Sequence, residues 1–330
     1  MTEQRILVTG ASGFVGRALV AALAADGLTV RCGSRDPDRG KEWQPVLEWV
    51  RLDLADPPSI GAALAGCSAA YYLVHSMSDG SGDYARRERE AARAFAAAAA
   101  TTGVERVVYL GGIKPVGRPS KHLASRLAVG AILRQGPIPA IELRAAMIVG
   151  YGSESWRICR DLAANLPGMV LPRWTRTRSE PVAIDDVVVA LRRALDLPLA
   201  GSADFDIPGP EALTVRQILL KTARALGLPD PKMIDVPVLT PRLSSYWLRL
   251  VTRADWSVAR ELVLGLERDV LARDGRYWTL IGHPSRLTFD EAARRALEAE
   301  GPNRPDDLLG LVEQFRRGGA TVPPGAGGRR

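Results

Sequence analysis

Hydrophobic residues recur at two different spacings along residues 1–145. Short β-rich runs predict strands, and segments with apolar residues three or four positions apart predict helices between them. The predicted strands are residues 5–9, 28–32, 46–52, 69–74, 104–110 and 138–143. The predicted helices are residues 13–25, 57–65, 82–102 and 121–135. Because strands alternate regularly with helices, the pattern predicts an α/β fold, a doubly wound parallel Rossmann sheet with helices on both faces.

This regular pattern loosens after residue 145, where prolines and short isolated elements dominate. The pattern predicts a helix at residues 185–196, followed by a last strand of the sheet at residues 203–207. An amphipathic helix is predicted at residues 214–226, closing the part of the chain with clear periodicity.

These patterns predict two domains. We expect the dinucleotide-binding Rossmann domain to comprise residues 1–145 plus about 180–208. A smaller, mostly helical substrate lobe is expected to comprise about 146–180 and 209–317. Residues 318–330 contain too little apolar surface to fold and are predicted to form a disordered tail.

The composition is that of a soluble globular protein, with 330 residues, 46% hydrophobic and 25% charged. The net charge is +7, but the basic residues are scattered without an aromatic-interleaved patch, which argues against nucleic acid as a partner. A basic surface also suits an anionic cofactor. The three cysteines form no C-x-x-C pair, which favours buried thiols in a reducing compartment. No secretory leader is visible, and no apolar run reaches the roughly 18 residues of a membrane span, so we expect a cytoplasmic protein.

The segment VTGASGFVGRAL carries three glycines between a predicted strand and a predicted helix. Gly10 permits the tight turn, Gly13 lets the backbone approach a pyrophosphate, and Gly16 lets the helix pack closely on the strand. The helix N-terminus favours negative charge. Ser12 and Phe14 complete the predicted loop contacts. This arrangement predicts a dinucleotide site.

The end of the second predicted strand decides which dinucleotide is favoured. NAD sites usually carry an acidic residue there, but this chain has no carboxylate before Asp36. Arg35, with Ser34 beside it, suits a 2′-phosphate and therefore predicts NADP(H). Two alternatives stay open: Arg35 as a solvated surface charge, and Asp36 as the ribose ligand of NAD(H).

Four segments together resemble the short-chain dehydrogenase/reductase superfamily. They are VTGASGFVG at the start, Leu-Asp-Leu at 52–54, Tyr-Leu-Gly-Gly at 109–112 and LRAAMIVG at 143–150. The chain is most similar to the atypical extended group of NAD(P)H-binding proteins, related to NmrA-like regulators and to the nucleotide-binding accessory subunit of respiratory complex I. The resemblance covers about residues 4–210.

The resemblance implies roles for particular positions. Asp53 would contact the adenine with Leu54 beside it, and His75 would lie along the cofactor ribose. Gly111 and Gly112 stand where the superfamily usually places a catalytic Ser or Thr.

The Tyr-x-x-x-Lys pair of the superfamily is replaced by His122 and Arg126. Arg126 would keep the ribose contact and the positive charge, and His122 would act as an acid with a pKa near neutrality. The alternative is that His122 caps the helix or is solvated. Further candidate donors are Lys114, Tyr84 and Tyr151. No His/Cys/carboxylate cluster has metal-ligand spacing, so no metal is predicted.

The substrate is expected to bind outside the carboxyl ends of the strands. Aromatic and basic residues after the sixth strand are candidates to line that site, with core packing as the alternative. The substrate candidates are Tyr151, Trp156, Trp174 and Arg178, with Arg176 and Trp247 as further lining residues. Asp185 or Asp186 is predicted to cap a helix. The apolar segment 233–264 would cover the pocket, pair subunits as a homodimer or contact a membrane surface.

The leading functional hypothesis is an NADP(H)-dependent oxidoreductase that transfers hydride to a small hydrophobic or carbonyl substrate. The replaced Tyr/Lys pair favours a second hypothesis, a non-catalytic NAD(P)H-binding redox sensor or assembly protein. An epimerase or lyase-type use of the same fold is the third.

Overall fold

The computed structural model describes residues 4–74, 83–165, 168–236 and 268–300. The strands are β1 Arg5–Thr9, β2 Thr29–Ser34, β3 Glu48–Arg51, β4 Ala69–Tyr72, β5 Arg106–Gly112, β6 Ala140–Ala145, β7 Ile148–Val149, β8 Gly168–Pro172, β9 Arg178–Ser179, β10 Val182–Ala183, β11 Ala203–Asp206, β12 Leu213–Thr214 and β13 Lys232–Val236. The helices are α1 Phe14–Ala25, α2 Pro37–Trp43, α3 Pro57–Leu64, α4 Tyr84–Thr101, α5 Lys121–Gln135, α6 Glu154–Asn165, α7 Ile184–Leu195, α8 Val215–Ala225, α9 Arg276–Leu280 and α10 Phe289–Glu300.

Seven strands form one parallel sheet in the order β11-β6-β5-β4-β1-β2-β3. The order reverses between β1 and β4, and ligands of such sheets bind at this switch point, outside the carboxyl ends of the strands. The Thr9 hydroxyl accepts a hydrogen bond from Leu73 N at 2.9 Å, which ties the ends of β1 and β4 together there.

The two faces of the sheet bury separate cores because side chains alternate along each strand. In β1, Ile6 and Val8 pack in a cluster with residues of α1 and α7. Leu7, between them, packs in a second cluster with residues of α3, α4 and α5. Helices therefore cover both faces, and the predicted doubly wound α/β fold is confirmed.

Helix α2 was not predicted from the sequence. Gly40 lies in its middle, and a Cβ atom there would approach the Trp49 ring to 2.5 Å or less. The helix therefore packs on β3 because Gly40 has no side chain. It has no stripe of apolar residues at helical spacing, so the sequence pattern did not reveal it.

The smaller C-terminal region combines α6, α8 and α10 with short strand pairs. Strand β13 pairs with β8, β12 with β9, and β10 with β7. The β10–β7 and β12–β9 pairs involve strands of two residues, too short to show an alternating pattern, and the sequence predicted none of the three pairs. The proposed domain boundaries stay a prediction, but α9 lies on the Rossmann side. Its Tyr277 and Trp278 pack in the first core cluster, although they belong to the segment predicted for the substrate lobe.

A buried carboxylate fixes α5 to the sheet. Glu142 in β6 has a side chain 1% exposed and accepts hydrogen bonds from Arg134 of α5 at 2.8 Å and from Arg144 at 3.0 Å. A Cβ atom on Gly130 of α5 would lie 2.6 Å from Glu142 Oε2, and it would lie even closer to the other two atoms of that carboxylate. The helix can approach this ion cluster only because that position is glycine.

The cysteines and the helix lengths bear on the compartment and partners expected from the sequence. Cys32 and Cys67 are buried, Cys159 is partly buried, and all three are free. In the part of the chain that the structure describes, no helix is long and apolar enough to span a bilayer. The predicted tail at 318–330 and most of the apolar segment 233–264 lie outside the described residues.

Candidate functional site

The glycine loop occupies the carboxyl end of β1 at the switch point. Gly10 has φ +62°, in the left-handed region that favours glycine. The loop is closed by a hydrogen bond from Gly13 N to the Gly10 carbonyl oxygen at 2.9 Å. A Cβ atom on Gly16 would lie 2.9 Å from the Ala11 Cα and closer still to the Gly10 carbonyl. Because residue 16 is a glycine, α1 can pack directly on the backbone of the loop that follows β1.

The N-terminus of α1 is left open to an anion. Its N-cap is Gly13, which offers no side-chain cap, and its first turn carries no acidic residue. The free backbone N–H groups and the helix dipole together favour a phosphate group. The loop and this helix end therefore fit the pyrophosphate of a dinucleotide.

Two further loop residues were predicted to bind the cofactor. Ser12 is exposed, and its carbonyl oxygen accepts a hydrogen bond from Arg17 Nε. Phe14 points toward the loop that follows β7, because its Cζ lies 3.1 Å from where a Cβ of Gly150 would stand. Phe14 thereby joins the glycine loop to residues 150–152.

Three polar residues follow one another at the end of β2. Asp36 is the N-cap of α2, and its Oδ1 accepts a hydrogen bond from Arg39 N at 3.2 Å. The Ser34 hydroxyl donates to the Asp36 carbonyl oxygen at 3.0 Å. Arg35 is exposed and has no hydrogen bond or ion pair with any residue that the structure describes. The arginine is therefore the group left for a ligand.

The residues implied for the adenine lie at the end of β3. Asp53 is partly buried, and its Oδ1 accepts a hydrogen bond from Ala55 N at 3.0 Å. Leu54 packs against the second core cluster, so it helps to fix this turn. His75, predicted to lie along the ribose, falls outside the described residues.

Gly111 and Gly112 end β5, and both are buried. A Cβ atom on Gly111 would lie 2.9 Å from Glu142 Oε1, and one on Gly112 would lie 2.6 Å from the Leu123 Cδ1. A serine or threonine would not fit at either position without moving its neighbours. The packing around β5 thus favours glycine, which has no hydroxyl, at both positions.

His122 lies in the first turn of α5, but it is not the helix cap. The N-cap is Ser120, whose hydroxyl accepts a hydrogen bond from Leu123 N at 3.3 Å. Burial, reinforced by the positive charge of Arg126, lowers the pKa of His122 to about 4. The expectation of a near-neutral pKa is therefore wrong: His122 is neutral at pH 7 and holds no proton to donate as an imidazolium.

Arg126 is held against the sheet. Its Nη2 donates to the Leu110 carbonyl oxygen at 2.8 Å, and the Tyr109 hydroxyl donates to the Arg126 carbonyl oxygen at 3.0 Å. Its Nε is buried with no acceptor among the described residues. The guanidinium thus lies at the carboxyl end of β5, and its predicted ribose contact stays a prediction.

The lowered pKa of His122 makes folding stability depend on pH. Between its ordinary value of 6.5 and about 4, the unfolded chain binds a proton at His122 that the folded chain does not. Stability is therefore lost as the pH falls through that window. We expect wild type to lose on the order of 2 kcal/mol relative to His122→Gln between about pH 7 and about pH 4.5, measured by urea unfolding. A constant difference between the two proteins across this range would contradict the assignment.

The other candidate donors differ in their surroundings. Lys114 is exposed two residues after β5, between the buried Ile113 and Pro115, and has no partner among the described residues. Tyr84 is partly buried at the start of α4. Tyr151 is 57% exposed and lies between Gly150 and Gly152, at each of which an added Cβ atom would meet the Phe14 ring.

One of the substrate candidates packs in a core, and another forms an ion pair at the surface. Trp156 is only 1% exposed and packs in the core of the C-terminal region. The centroid of its ring lies 6.3 Å from that of Phe289. Arg178 binds the Asp269 carboxylate through Nε and Nη2, at 3.1 and 3.0 Å. Of the three candidates whose side chains the structure describes, Tyr151 is the exposed one next to the residues that neighbour Phe14. The side chain of Trp174 and all of Trp247 fall outside what the structure describes.

The predicted helix cap at the start of α7 is also wrong. The N-cap is Ala183, and Asp186 lies inside the first turn. Asp186 is buried, with Oδ1 2.8 Å from His283 Nε2 and Oδ2 accepting from Leu287 N at 2.9 Å. It therefore ties the segment around residues 283–287 to α7. Among the described residues, no group of three His, Cys, Asp or Glu side chains is placed to hold a metal ion.

One residue near the glycine loop was not predicted. Arg17, the residue after Gly16, donates from Nε to the Ser12 carbonyl oxygen at 2.9 Å and lies over the Trp43 ring. The only sequence signal was an arginine in the first turn of a helix, where a positive charge opposes the helix dipole.

Comparison with known proteins places this geometry in context. A family model described as NAD(P)H-binding matches residues 10–135. Ceramide reductase of Caulobacter vibrioides is 26% identical over 250 residues, which are 73% of this chain and 78% of that protein. Dihydroflavonol 4-reductase of Hordeum vulgare is 38% identical over 82 residues, 22% of this chain and 23% of that enzyme.

Solved structures share the fold over nearly the whole chain. Triphenylmethane reductase of Citrobacter sp., in complex with NADP(H), superposes with a TM-score of 0.68 at 17% identity and covers 88% of this chain and 99% of its own. UDP-glucose 4-epimerase of Thermotoga maritima gives a TM-score of 0.69 at 14% identity, over 89% and 98%. Reductases and epimerases thus use the same architecture.

Proposed function

We propose that this chain, whose residues 10–135 match an NAD(P)H-binding family model, is a member of the atypical, extended short-chain dehydrogenase/reductase family and an NADP(H)-dependent reductase of a hydrophobic carbonyl compound. The observation that carries the proposal is the open helix end at the glycine loop, with Arg35, which pairs with no described residue, at the end of the next strand. The first fits a pyrophosphate, and the second distinguishes NADP(H) from NAD(H) by its charge.

Each part of the cofactor has residues suited to hold it. Gly10, Gly13 and Gly16 shape the pyrophosphate loop, and Ser12 and Phe14 border it. Arg35 binds the 2′-phosphate, Asp53 and Leu54 border the adenine, and Arg126 approaches the ribose from α5. When bound, the reduced cofactor supplies a hydride.

A carbonyl reduction also needs a proton at the carbonyl oxygen. His122 is neutral at pH 7, and Arg126 is bound to the β5 backbone. Lys114 is exposed beyond the carboxyl end of β5, and its ammonium group has no acceptor among the described residues. We therefore assign the proton to Lys114 Nζ, which regains it from solvent.

The substrate class rests on two supports. The relative that is similar over most of its length carries the name ceramide reductase, which points to a long-chain lipid carbonyl or a comparable hydrophobic compound. Tyr151 is exposed between Gly150 and Gly152, which neighbour Phe14, and it offers an aromatic surface to such a molecule.

The proposal is tested by mixing the protein with NADPH and a series of long-chain and aromatic ketones and following the loss of reduced-nicotinamide absorbance. We expect turnover with a hydrophobic ketone, and a decrease in kcat of about 100-fold in Lys114→Met, because general acid catalysis typically contributes that much. Lys121→Met removes an equally exposed lysine at the start of α5 and is expected to keep wild-type turnover. Unchanged kcat in Lys114→Met would reject the assigned donor.

A second candidate function is favoured by the packing at β5. Because Gly111 and Gly112 leave no room for a hydroxyl and His122 is neutral, the usual catalytic groups are absent from these described positions. A non-catalytic NADP(H) sensor would bind the cofactor with the same residues. Tight NADPH binding without turnover on any ketone of the series would favour it over the reductase.

A further inference from the structure

Arg17 is oriented by two contacts at the edge of the glycine loop. It lies in the first turn of α1, directly after Gly16. Its Nε donates to the Ser12 carbonyl oxygen at 2.9 Å, and its guanidinium carbon lies 4.9 Å from the centroid of the Trp43 ring. A cation over an aromatic face is attracted by the ring quadrupole. An exposed arginine is therefore held in one orientation.

Trp43 is itself held from behind. It is the last residue of α2, and its ring meets the ring of Trp49 edge-on, with centroids 6.1 Å apart. Trp49 is buried, and its Nε1 donates to the Gln44 carbonyl oxygen at 3.0 Å. The aromatic platform under Arg17 is thus anchored to the core of the sheet.

The two terminal nitrogens of Arg17 remain available. They have no acceptor among the residues that the structure describes. Asp36, the carboxylate at the end of β2, caps α2, and Asp38 pairs with Lys41 at 2.9 Å. A guanidinium offers a planar pair of donors that matches phosphate oxygens, and a stacked arginine needs little further ordering to bind them.

Other cations concentrate at the same corner of the sheet. Arg35 follows β2, Arg39 lies in α2, and Arg51 ends β3 beside Ser34 in the strand register. All three are exposed and have no side-chain partner among the described residues. The corner between α1, α2 and the ends of β2 and β3 therefore holds four exposed arginines, and Arg17 is the one whose guanidinium is oriented by contacts with Ser12 and Trp43.

We propose that Arg17, stacked on Trp43, binds the 2′-phosphate of NADP(H) opposite Arg35 and is the main determinant of selectivity for NADP(H) over NAD(H). The inference rests on the proposed function, since it assumes a dinucleotide in the glycine loop. It differs from the sequence-based expectation, which placed the whole preference on Arg35.

The alternative role of the Arg17 contacts with Ser12 and Trp43 is purely structural: they would hold α1 against α2. Such a structural role would contribute to stability and would affect NADPH and NADH equally. A phosphate ligand would affect NADPH and leave NADH nearly unchanged. The ratio of the two affinities therefore separates the roles.

The test uses calorimetric titration of NADPH, NADH and 2′,5′-ADP into the full chain and its variants. In Arg17→Gln we expect NADPH and 2′,5′-ADP affinity to fall about 10- to 100-fold, and NADH affinity to change by less than about 3-fold. Trp43→Leu removes the platform and is expected to weaken NADPH about 3-fold. The matched control is Arg93→Gln, which removes an exposed arginine of α4 on the opposite face of the sheet and is expected to leave all three affinities unchanged.

Thermal unfolding of each variant confirms that it is folded before titration. If Arg17→Gln binds NADPH as tightly as wild type, or loses NADPH and NADH equally, the inference is overturned while dinucleotide binding stands. If wild type binds none of the three ligands, the proposed function itself fails. The two failures are therefore distinguishable.

Discussion

Replacing Gly16 by alanine should strongly weaken dinucleotide binding. The added Cβ would lie 2.9 Å from the Ala11 Cα and inside van der Waals contact of the Gly10 carbonyl, so α1 or the loop must move. Either movement displaces the N–H groups that face the pyrophosphate. We expect NADPH affinity to fall by about 100-fold or more, and the free energy of unfolding to fall by about 1–3 kcal/mol from overpacking. Fluorescence titration and urea unfolding measure the two effects.

Gly61→Ala provides the control for this substitution. Gly61 lies in α3, and a Cβ atom there would meet nothing within 4 Å. Because alanine is a better helix former than glycine, this variant should keep its cofactor affinity and gain up to about 1 kcal/mol of stability. Wild-type NADPH affinity in Gly16→Ala would show that the close approach of α1 is not needed.

Among the substitutions considered, Glu142→Ala should give the largest decrease in the free energy of unfolding. The carboxylate is buried and binds both Arg134 and Arg144, so its removal leaves a guanidinium in the core with fewer partners. Arg144 keeps Asp204 at 2.8 Å, which limits the damage. We expect a loss of about 3 kcal/mol in the free energy of unfolding, at the lower end of the range for a broken buried pair.

The exposed pair between Arg294 and Glu298 on α10 serves for comparison. Glu298→Ala removes the same kind of side chain from a solvated helix face and should cost less than about 1 kcal/mol. Equal losses in the two variants would mean that burial does not set the contribution of Glu142. In that case the attachment of α5, and with it the placement of His122 and Arg126, would depend on other contacts.

The Rossmann sheet could be predicted because hydrophobic spacing alone marks its strands and main helices. Strand β1 shows why: Ile6, Leu7 and Val8 alternate between two cores, and the adjacent glycines can only mean a tight turn. The same reasoning missed α2, which packs through Gly40 and has no apolar period to read.

The candidate site was predicted less completely because its chemistry depends on distant neighbours. Nothing near Arg178 in the sequence indicates Asp269, its ion-pair partner. The lowered pKa of His122 follows from its burial and from the nearby charge of Arg126. The sequence spacing shows that the two residues are close, but it does not show the burial. Arg17 was visible beside the glycine motif, but its significance depends on Trp43, which comes from a helix that the pattern did not reveal.

The central claim is that the glycine loop holds a dinucleotide with a 2′-phosphate. It is tested most directly by calorimetric titration of the wild-type chain with NADPH and NADH under identical buffer and salt. The expected result is binding of both, with NADPH tighter by about 10-fold or more, because its extra phosphate meets at least one arginine that pairs with no described residue. Equal affinities, tighter binding of NADH, or binding of neither would contradict the claim.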